Sequence, residues 1–121
     1  MRDAPDALGQ HVIADCYGVA DALLRDAVAL EALLRQCAAD AGARVIGSHF
    51  HSFGSGLGVT GVVLLAESHI SVHTWPEAGF AAADLFMCGS AQVGRALATL
   101  LAGLAPARQR VETVARGLVR I

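Results

Sequence analysis

Polar and hydrophobic residues follow two different periods along this chain of 121 residues. Residues 11–17 are rich in strand-forming side chains and end at Gly18, which predicts a first strand. A helix capped by Asp21 and ended by Gly42 is predicted next, because apolar side chains recur there at steps of three and four residues. The members of this stripe are Leu23, Leu24, Ala27, Val28, Leu30, Leu33, Leu34, Cys37 and Ala38.

A second strand and a glycine-rich loop come next. Residues 44–53 predict the strand, and residues 54–58 predict a loop with glycine at every second position. Such a loop can turn tightly or approach a ligand closely. Its spacing lacks both the P-loop lysine and the full dinucleotide-binding fingerprint, so binding of a nucleotide phosphate is disfavoured.

The next segments read as further strands. The apolar run 59–66 and the alternating run 68–74 predict two strands that meet near the bond between them, or one long strand interrupted there. Pro76 removes a backbone donor and Gly79 permits a turn, so residues 81–87 form a separate strand.

A second helix, capped by Ser90 and ended before Pro106, precedes a last strand at 109–115. Its buried stripe consists of Val93, Leu97, Leu100, Leu101 and Leu104. The element order is therefore strand, helix, three strands, helix, strand. Short links between consecutive strands favour antiparallel pairing.

The fold class that follows is α+β: a two-layer α/β sandwich in which two helices cover one face of an antiparallel sheet. The other sheet face would stay uncovered unless a second subunit packs against it. Five small residues suit close sheet-to-sheet contact, which predicts a homodimer packed face to face. They are Gly61, Ala66, Ala81, Ala82 and Ala83.

Composition narrows the class of protein. The length fits a single domain over residues 1–121, and 55% hydrophobic residues with 17% charged ones lie outside the disordered range. A formal net charge of -2 without a basic run argues against nucleic acid or an anionic membrane as partner. Two aspartates near the N-terminus and the lack of a long apolar stretch predict a cytoplasmic protein.

Reactive side chains are concentrated between residues 67 and 77. Ser68 and His73 could be nucleophile and base, with Glu67, Glu77 or Asp84 orienting the imidazole, although no G-x-S-x-G elbow frames the serine. Cys88 could be a thiol nucleophile or a packing residue. Trp75, the single tryptophan, is either a core residue or a flat surface for a ligand ring.

Histidines raise a competing hypothesis. His49 with His51, and His69 with His73, would each share one face of a strand and could bind zinc. Hydrogen-bonded strand histidines are the favoured interpretation, because no cysteine or carboxylate stands beside them at ligand spacing. We therefore expect no metal.

Six segments together carry a resemblance to a known family. They are Gly9-x-His-Val-Ile-Ala-Asp15, Ser48-x-Phe-His51 through Phe53, Gly58-Val-Thr-Gly-Val-Val63, Ala66-Glu-Ser-His69, His73-Thr-Trp-Pro-Glu77 and Asp84-Leu-Phe-Met-Cys-Gly89. In this order and spacing the chain resembles the small prokaryotic S-adenosylmethionine decarboxylases over nearly its whole length. Each segment is weak by itself, but the set is specific.

The resemblance implies a pyruvoyl enzyme that makes its own cofactor. Such a chain cuts itself between Glu67 and Ser68 into fragments 1–67 and 68–121, and Ser68 becomes the pyruvoyl group that forms a Schiff base with the substrate. His73 would take the proton during maturation, which suits an imidazole at neutral pH. Thr60 would assist processing, and Cys88 would return a proton to the substrate.

The substrate implied is S-adenosylmethionine, and the product is the aminopropyl donor of spermidine biosynthesis. Phe53 and Trp75 match the positions that sandwich adenine, and Glu77 matches the carboxylate that binds the ribose hydroxyls. Thr60 stands where the family usually has serine, and Asp15 where glutamate is more typical.

An arginine or ornithine decarboxylase of the same fold is the alternative function. A non-enzymatic metal-binding or regulatory module ranks third.

Overall fold

Six antiparallel strands form one sheet, and the helices cover one of its faces. The computed structural model describes residues 7–118. The elements in chain order are β1 (Ala7–Tyr17), α1 (Asp21–Leu24), α2 (Ala27–Ala41), β2 (Val45–Ser52), β3 (Val59–Leu65), β4 (Ser68–Trp75), β5 (Phe80–Cys88), α3 (Val93–Leu104) and β6 (Arg108–Leu118). A 3₁₀ turn, Pro76–Ala78, links β4 to β5. The strand order is β2-β3-β4-β5-β1-β6, which confirms the predicted fold class.

The core lies between the sheet and the two longer helices. Each helix turns one apolar stripe toward alternate residues of the strands, so that the stripe and the inward sheet face are both buried. Side chains with no exposed surface come from α2, α3 and the central strands: Leu30, Leu34, Leu100, Val63, Ile70, Val72 and Leu85. Within residues 7–118, no helix is long and apolar enough to span a membrane.

The first predicted helix is divided into two. Asp26, rather than Asp21, caps the long helix α2, since its carboxylate accepts a hydrogen bond of 3.0 Å from the backbone N–H of Ala29. Asp21 instead starts the single turn α1 and pairs with Arg25. Because the helix is broken, the residues of α2 do not continue the face set by α1. Val28, which was predicted to be buried, is therefore 81% exposed.

Two other boundaries differ from the sequence prediction. The cap of α3 is Gln92, which makes no side-chain capping bond, rather than Ser90. Four strands, not three, lie between the long helices, because the turn at Ala66 and Glu67 separates β3 from β4.

The small residues predicted to line a dimer interface mostly face the helices. Ala81 and Ala83 are 0% and 5% exposed beneath the helical layer, and the ring of Phe50 fills the space above Gly61. Ala82 alternates with its neighbours and faces the opposite side of the sheet. The stated reason for face-to-face packing was therefore wrong for Gly61, Ala81 and Ala83, and the dimer itself stays a prediction.

Candidate active site

The sheet face away from the helices, called here the open face, carries most of the predicted site residues. Along β4 the alternation places Val72 and Thr74 in the core, whereas Ser71, His73 and Trp75 are at least partly exposed on the open face. Cross-strand partners share a face, so Thr60 on β3 and Ala82 on β5 flank His73 there.

One group on the open face, called here the pocket cluster, surrounds the end of β4 at Trp75. It contains Phe53, Thr60, His73, Trp75 and Glu77, which line a cavity of about 310 Å³. Thr60 Oγ1 lies 3.1 Å from His73 Nδ1, within hydrogen-bond distance. Phe53 is 56% exposed and Trp75 43% exposed, so both rings are free to contact a flat ligand.

A second group, called here the turn cluster, lies at the opposite end of β4. Leu65 pairs with Ser68, which leaves Ala66 and Glu67 as a two-residue hairpin turn. The Cys88 thiol donates to the Glu67 carbonyl oxygen at 3.2 Å, and its sulfur lies 3.6 Å from Ser68 Oγ. The bond between Glu67 and Ser68 is therefore flanked by a hydroxyl on one side and a thiol donor on its carbonyl.

The two clusters are far apart within one chain. Ser68 and His73 are five residues apart on β4, which at about 3.3 Å per residue separates their Cα atoms by roughly 16 Å. The registers of β4 with β3 and β5 run without a shift, so no bulge brings the ends together. His73 therefore contacts Thr60 and does not reach Ser68 of its own chain.

A polar group that the sequence did not single out as a unit occupies the centre of the open face. Asp84 accepts hydrogen bonds from His11 Nε2 at 2.7 Å and His69 Nε2 at 3.1 Å, both on Oδ2, while Ser71 donates to Oδ1. Burial by itself would raise the pKa of Asp84, but the hydrogen bonds from Ser71, His11 and His69 together lower it below its usual value. The carboxylate is thus held in its ionised form.

His11, His69 and Asp84 are residue types that bind metals, but in this structure they are joined to one another and to Arg116 by hydrogen bonds. Ligand atoms of His11, His69 and Asp84 lie within 4.8 Å of one another. Arg116 Nη1 lies 2.9 Å from His11 Nδ1, and a guanidinium can only donate. The network therefore assigns the ring proton to His11 Nε2, which donates it to Asp84.

The three cysteines differ in their environments. Cys16 and Cys37 are buried, and burial raises the pKa of both thiols, that of Cys37 to about 12. Cys88 is partly exposed at the turn cluster. Of the three thiols, it is the one positioned to take part in chemistry at the Glu67–Ser68 bond.

Comparison with known proteins identifies the family. A family model for S-adenosylmethionine decarboxylase matches residues 10–117, nearly the whole chain. The chain belongs to the S-adenosylmethionine decarboxylase family. Membership agrees with the resemblance carried by the six sequence segments.

Relatives of the decarboxylase family support the assignment. The S-adenosylmethionine decarboxylase proenzymes of Carboxydothermus hydrogenoformans and Acetivibrio thermocellus are 48% and 46% identical over 84 residues, which is 69% of this chain. The aligned part spans 65% and 67% of those proteins, about two thirds of their length. The crystal structure of the adenosylmethionine decarboxylase from Aquifex aeolicus superposes with a TM-score of 0.88 and 39% identity, covering 97% of this chain and 96% of that one.

The lowered pKa of Asp84 in this decarboxylase-family chain generates a pH prediction. A carboxylate whose folded-state pKa lies below its usual value stabilises the fold above that usual value, and the contribution is lost as the pH falls through the folded-state pKa, below about pH 4. We expect the urea midpoint of the wild type to fall more steeply below pH 4 than that of Asp84→Asn.

Asp40→Asn is the matched control, because Asp40 also has a lowered pKa, caused first by a hydrogen bond from Thr99, but lies on the exposed helical side. Solvent screens that pair, so this variant should retain most of the wild-type slope. Equal slopes for the wild type and Asp84→Asn would contradict the prediction.

Proposed function

We propose that this chain is a self-cleaving, pyruvoyl-dependent decarboxylase that acts on S-adenosylmethionine and supplies the aminopropyl donor for spermidine synthesis. The observation that carries the proposal is the Glu67–Ser68 bond, exposed in a hairpin turn with the Cys88 thiol on its carbonyl oxygen. The names of the relatives, which are proenzymes, support maturation of a precursor. The cytoplasmic location and the lack of nucleic acid or membrane partners stay predictions.

Maturation begins at the hydroxyl of Ser68. Its Oγ attacks the carbonyl carbon of Glu67, and the C–N bond breaks as a C–O ester bond forms. The S–H of Cys88, 3.2 Å from the carbonyl oxygen, polarises that carbonyl for attack. A base, the role that the resemblance implies for His73, then removes the α-proton of residue 68, and Glu67 leaves as a carboxylate. Addition of one water to the resulting dehydroalanine, with release of ammonia, leaves a ketone at position 68.

The ketone at residue 68 supplies an electron sink for the pair of electrons left when carbon dioxide departs. Cys88 lies beside that position and donates a proton to the substrate carbon. Ser68 pairs with Leu65 of β3, and pairing with β5 begins at His69, so the strand that follows the new terminus stays in place.

The two fragments would form one domain after cleavage. Strand β4 of fragment 68–121 is paired along its length with β3 of fragment 1–67. Strand β1 is in turn enclosed by β5 and β6, which belong to the other fragment. Breaking one turn bond therefore removes no strand pairing and leaves the core shared between the fragments.

The pocket cluster is suited to an adenosyl group. Exposed rings of Phe53 and Trp75 provide flat apolar surfaces for a purine, and the Glu77 carboxylate provides acceptors for ribose hydroxyls. Glu77 could also pair with the charged side chain of arginine or ornithine, but neither amino acid has a purine for the two rings or ribose hydroxyls for the carboxylate. His73 and Thr60 line the same cavity. During maturation at the Glu67–Ser68 bond, His73 would take the proton and Thr60 would assist.

A homodimer would bring the two clusters together. The open face exposes apolar side chains at Ile13, Leu64, Trp75 and Val114, a surface that a second copy can cover. Consider a two-fold axis that lies between the two sheets, perpendicular to β4 and above its midpoint. Such an axis would set the turn cluster of one chain over the pocket cluster of its partner. His73 would then serve Ser68 of the partner rather than its own.

Cleavage is tested by denaturing mass spectrometry of the purified protein. The wild type should give fragments 1–67 and 68–121, and a hydrazide should label the second fragment through its ketone. Ser68→Ala removes the attacking hydroxyl and should stay intact. The exposed Ser90→Ala variant is the control and should cleave normally. A wild-type chain that remains whole would rule out the proposed maturation.

A shared site predicts complementation between two inactive variants. Cys88→Ala removes the thiol of the turn cluster, and Glu77→Gln removes the charge of the carboxylate in the pocket cluster. Each homodimer should therefore release little carbon dioxide from S-adenosylmethionine. Random co-assembly makes half of the dimers mixed, and each mixed dimer contains one intact site, which predicts about a quarter of wild-type activity.

Mixed dimers purified from this mixture through two different affinity tags should reach about half of wild-type activity, because one of their two sites is intact. A site contained within one chain predicts no gain over the separate variants, because every chain would then carry one defect in its own site. Activity equal to the sum of the two homodimers would therefore contradict the shared site.

A further inference from the structure

Glu67 has an unusual backbone conformation for its residue type. Its φ is 65°, in the left-handed region, and among the non-glycine residues of 7–118 it shares a positive φ only with Ala105, at the C-terminal end of α3. A Cβ atom makes this region unfavourable, and hairpin turns that need it normally use glycine, asparagine or aspartate. A glutamate at this turn position goes against local preference.

The surrounding strands hold the turn in this conformation. Six consecutive pairs, from Thr60 with His73 to Leu65 with Ser68, fix both ends of the hairpin. The backbone N–H of Ala66 donates to the Arg44 carbonyl at 3.0 Å, which anchors the first turn residue. With both ends fixed, residue 67 has to close the turn, and an unfavourable φ persists because its environment imposes it.

We propose that the left-handed conformation of Glu67 is a strain that promotes cleavage of the bond following it. Glu67 would be a positioning residue that acts through its backbone, and the inference rests on the self-cleavage proposed above. Its conformation also directs the carbonyl oxygen to the Cys88 thiol.

The chemistry of the first step explains how strain is released. A bond forms between Ser68 Oγ and the Glu67 carbonyl carbon, the C–N bond breaks, and the hydroxyl proton passes to the freed nitrogen. The link from that carbon to Ser68 Cα then lengthens from one atom, the nitrogen, to two, Oγ and Cβ. The longer link relaxes the turn, so a strained peptide moves further toward the ester than an unstrained one.

A matched pair of variants isolates the backbone effect. Glu67→Ala and Glu67→Gly both remove the carboxylate and differ only in the Cβ atom, which is the source of the strain. We expect the glycine variant to cleave about three to ten times more slowly than the alanine variant, because glycine adopts a positive φ without cost. Glu67→Asn, which tolerates this region, should lie between them.

Stability of the uncleaved precursor supplies a second readout. In a Ser68→Ala background, the glycine variant should melt at a higher temperature than the alanine variant, although glycine in the unfolded chain acts in the opposite direction. A residue needed only for structure would lower stability and cleavage rate together. Strain predicts that they move in opposite directions.

The outcomes separate this inference from the proposed function. If neither the wild type nor any variant cleaves, self-cleavage itself fails. If the wild type and Glu67→Ala cleave but Glu67→Gly cleaves as fast or faster, strain at residue 67 is excluded and maturation stands. A glycine precursor that is no more stable than the alanine precursor would equally overturn the inference.

Discussion

The pairing of β4 with a neighbour on each side is the constraint on which the rest of this structure depends. Because β3 and β5 fix its register without a shift, every second side chain of β4 is committed to the open face. The same pairing closes the hairpin at Glu67 and separates Ser68 from His73 by most of the length of the strand. A rigid central strand thus determines which reactive groups meet within one chain and which need a second copy.

The centre of the open face illustrates how polar groups are accommodated between the two clusters. Asp84 would be costly to shield from water without partners, and three donors from β1 and β4 satisfy its two oxygens. Arg116 on β6 sets the tautomer of His11 and so extends the network to the sheet edge. In a face-to-face dimer this network would lie near the two-fold axis, where a satisfied polar group helps to fix one arrangement of the two sheets.

Sequence periodicity predicted the strands, the two long helices and the junction at residues 67 and 68, since these depend on local patterns. Periodicity failed where the pattern did not show which residues share a face or which residue begins a helix. Ala81, Ala82 and Ala83 are consecutive alanines, so nothing in that run indicates which of them face the helices. Asp21 and Asp26 both precede apolar residues, and only the folded chain shows which carboxylate reaches an unpaired N–H.

The contact between His11 and Arg116 joins residues 105 apart in the chain, beyond the reach of any local signal. The resemblance to a family named the residues of both clusters, and the predicted strand 68–74 already separated Ser68 from His73. Only the strand register shows that no bulge in β4 shortens that distance.

Reductive trapping tests the central claim most directly, because it reports the cofactor and the substrate together. Purified protein would be incubated with S-adenosylmethionine and cyanoborohydride and then measured by denaturing mass spectrometry, with arginine and ornithine in parallel. We expect a covalent adduct from S-adenosylmethionine on the fragment that begins at residue 68, and none from the two amino acids. An intact chain of 121 residues, or an adduct formed from arginine or ornithine instead, would contradict this expectation.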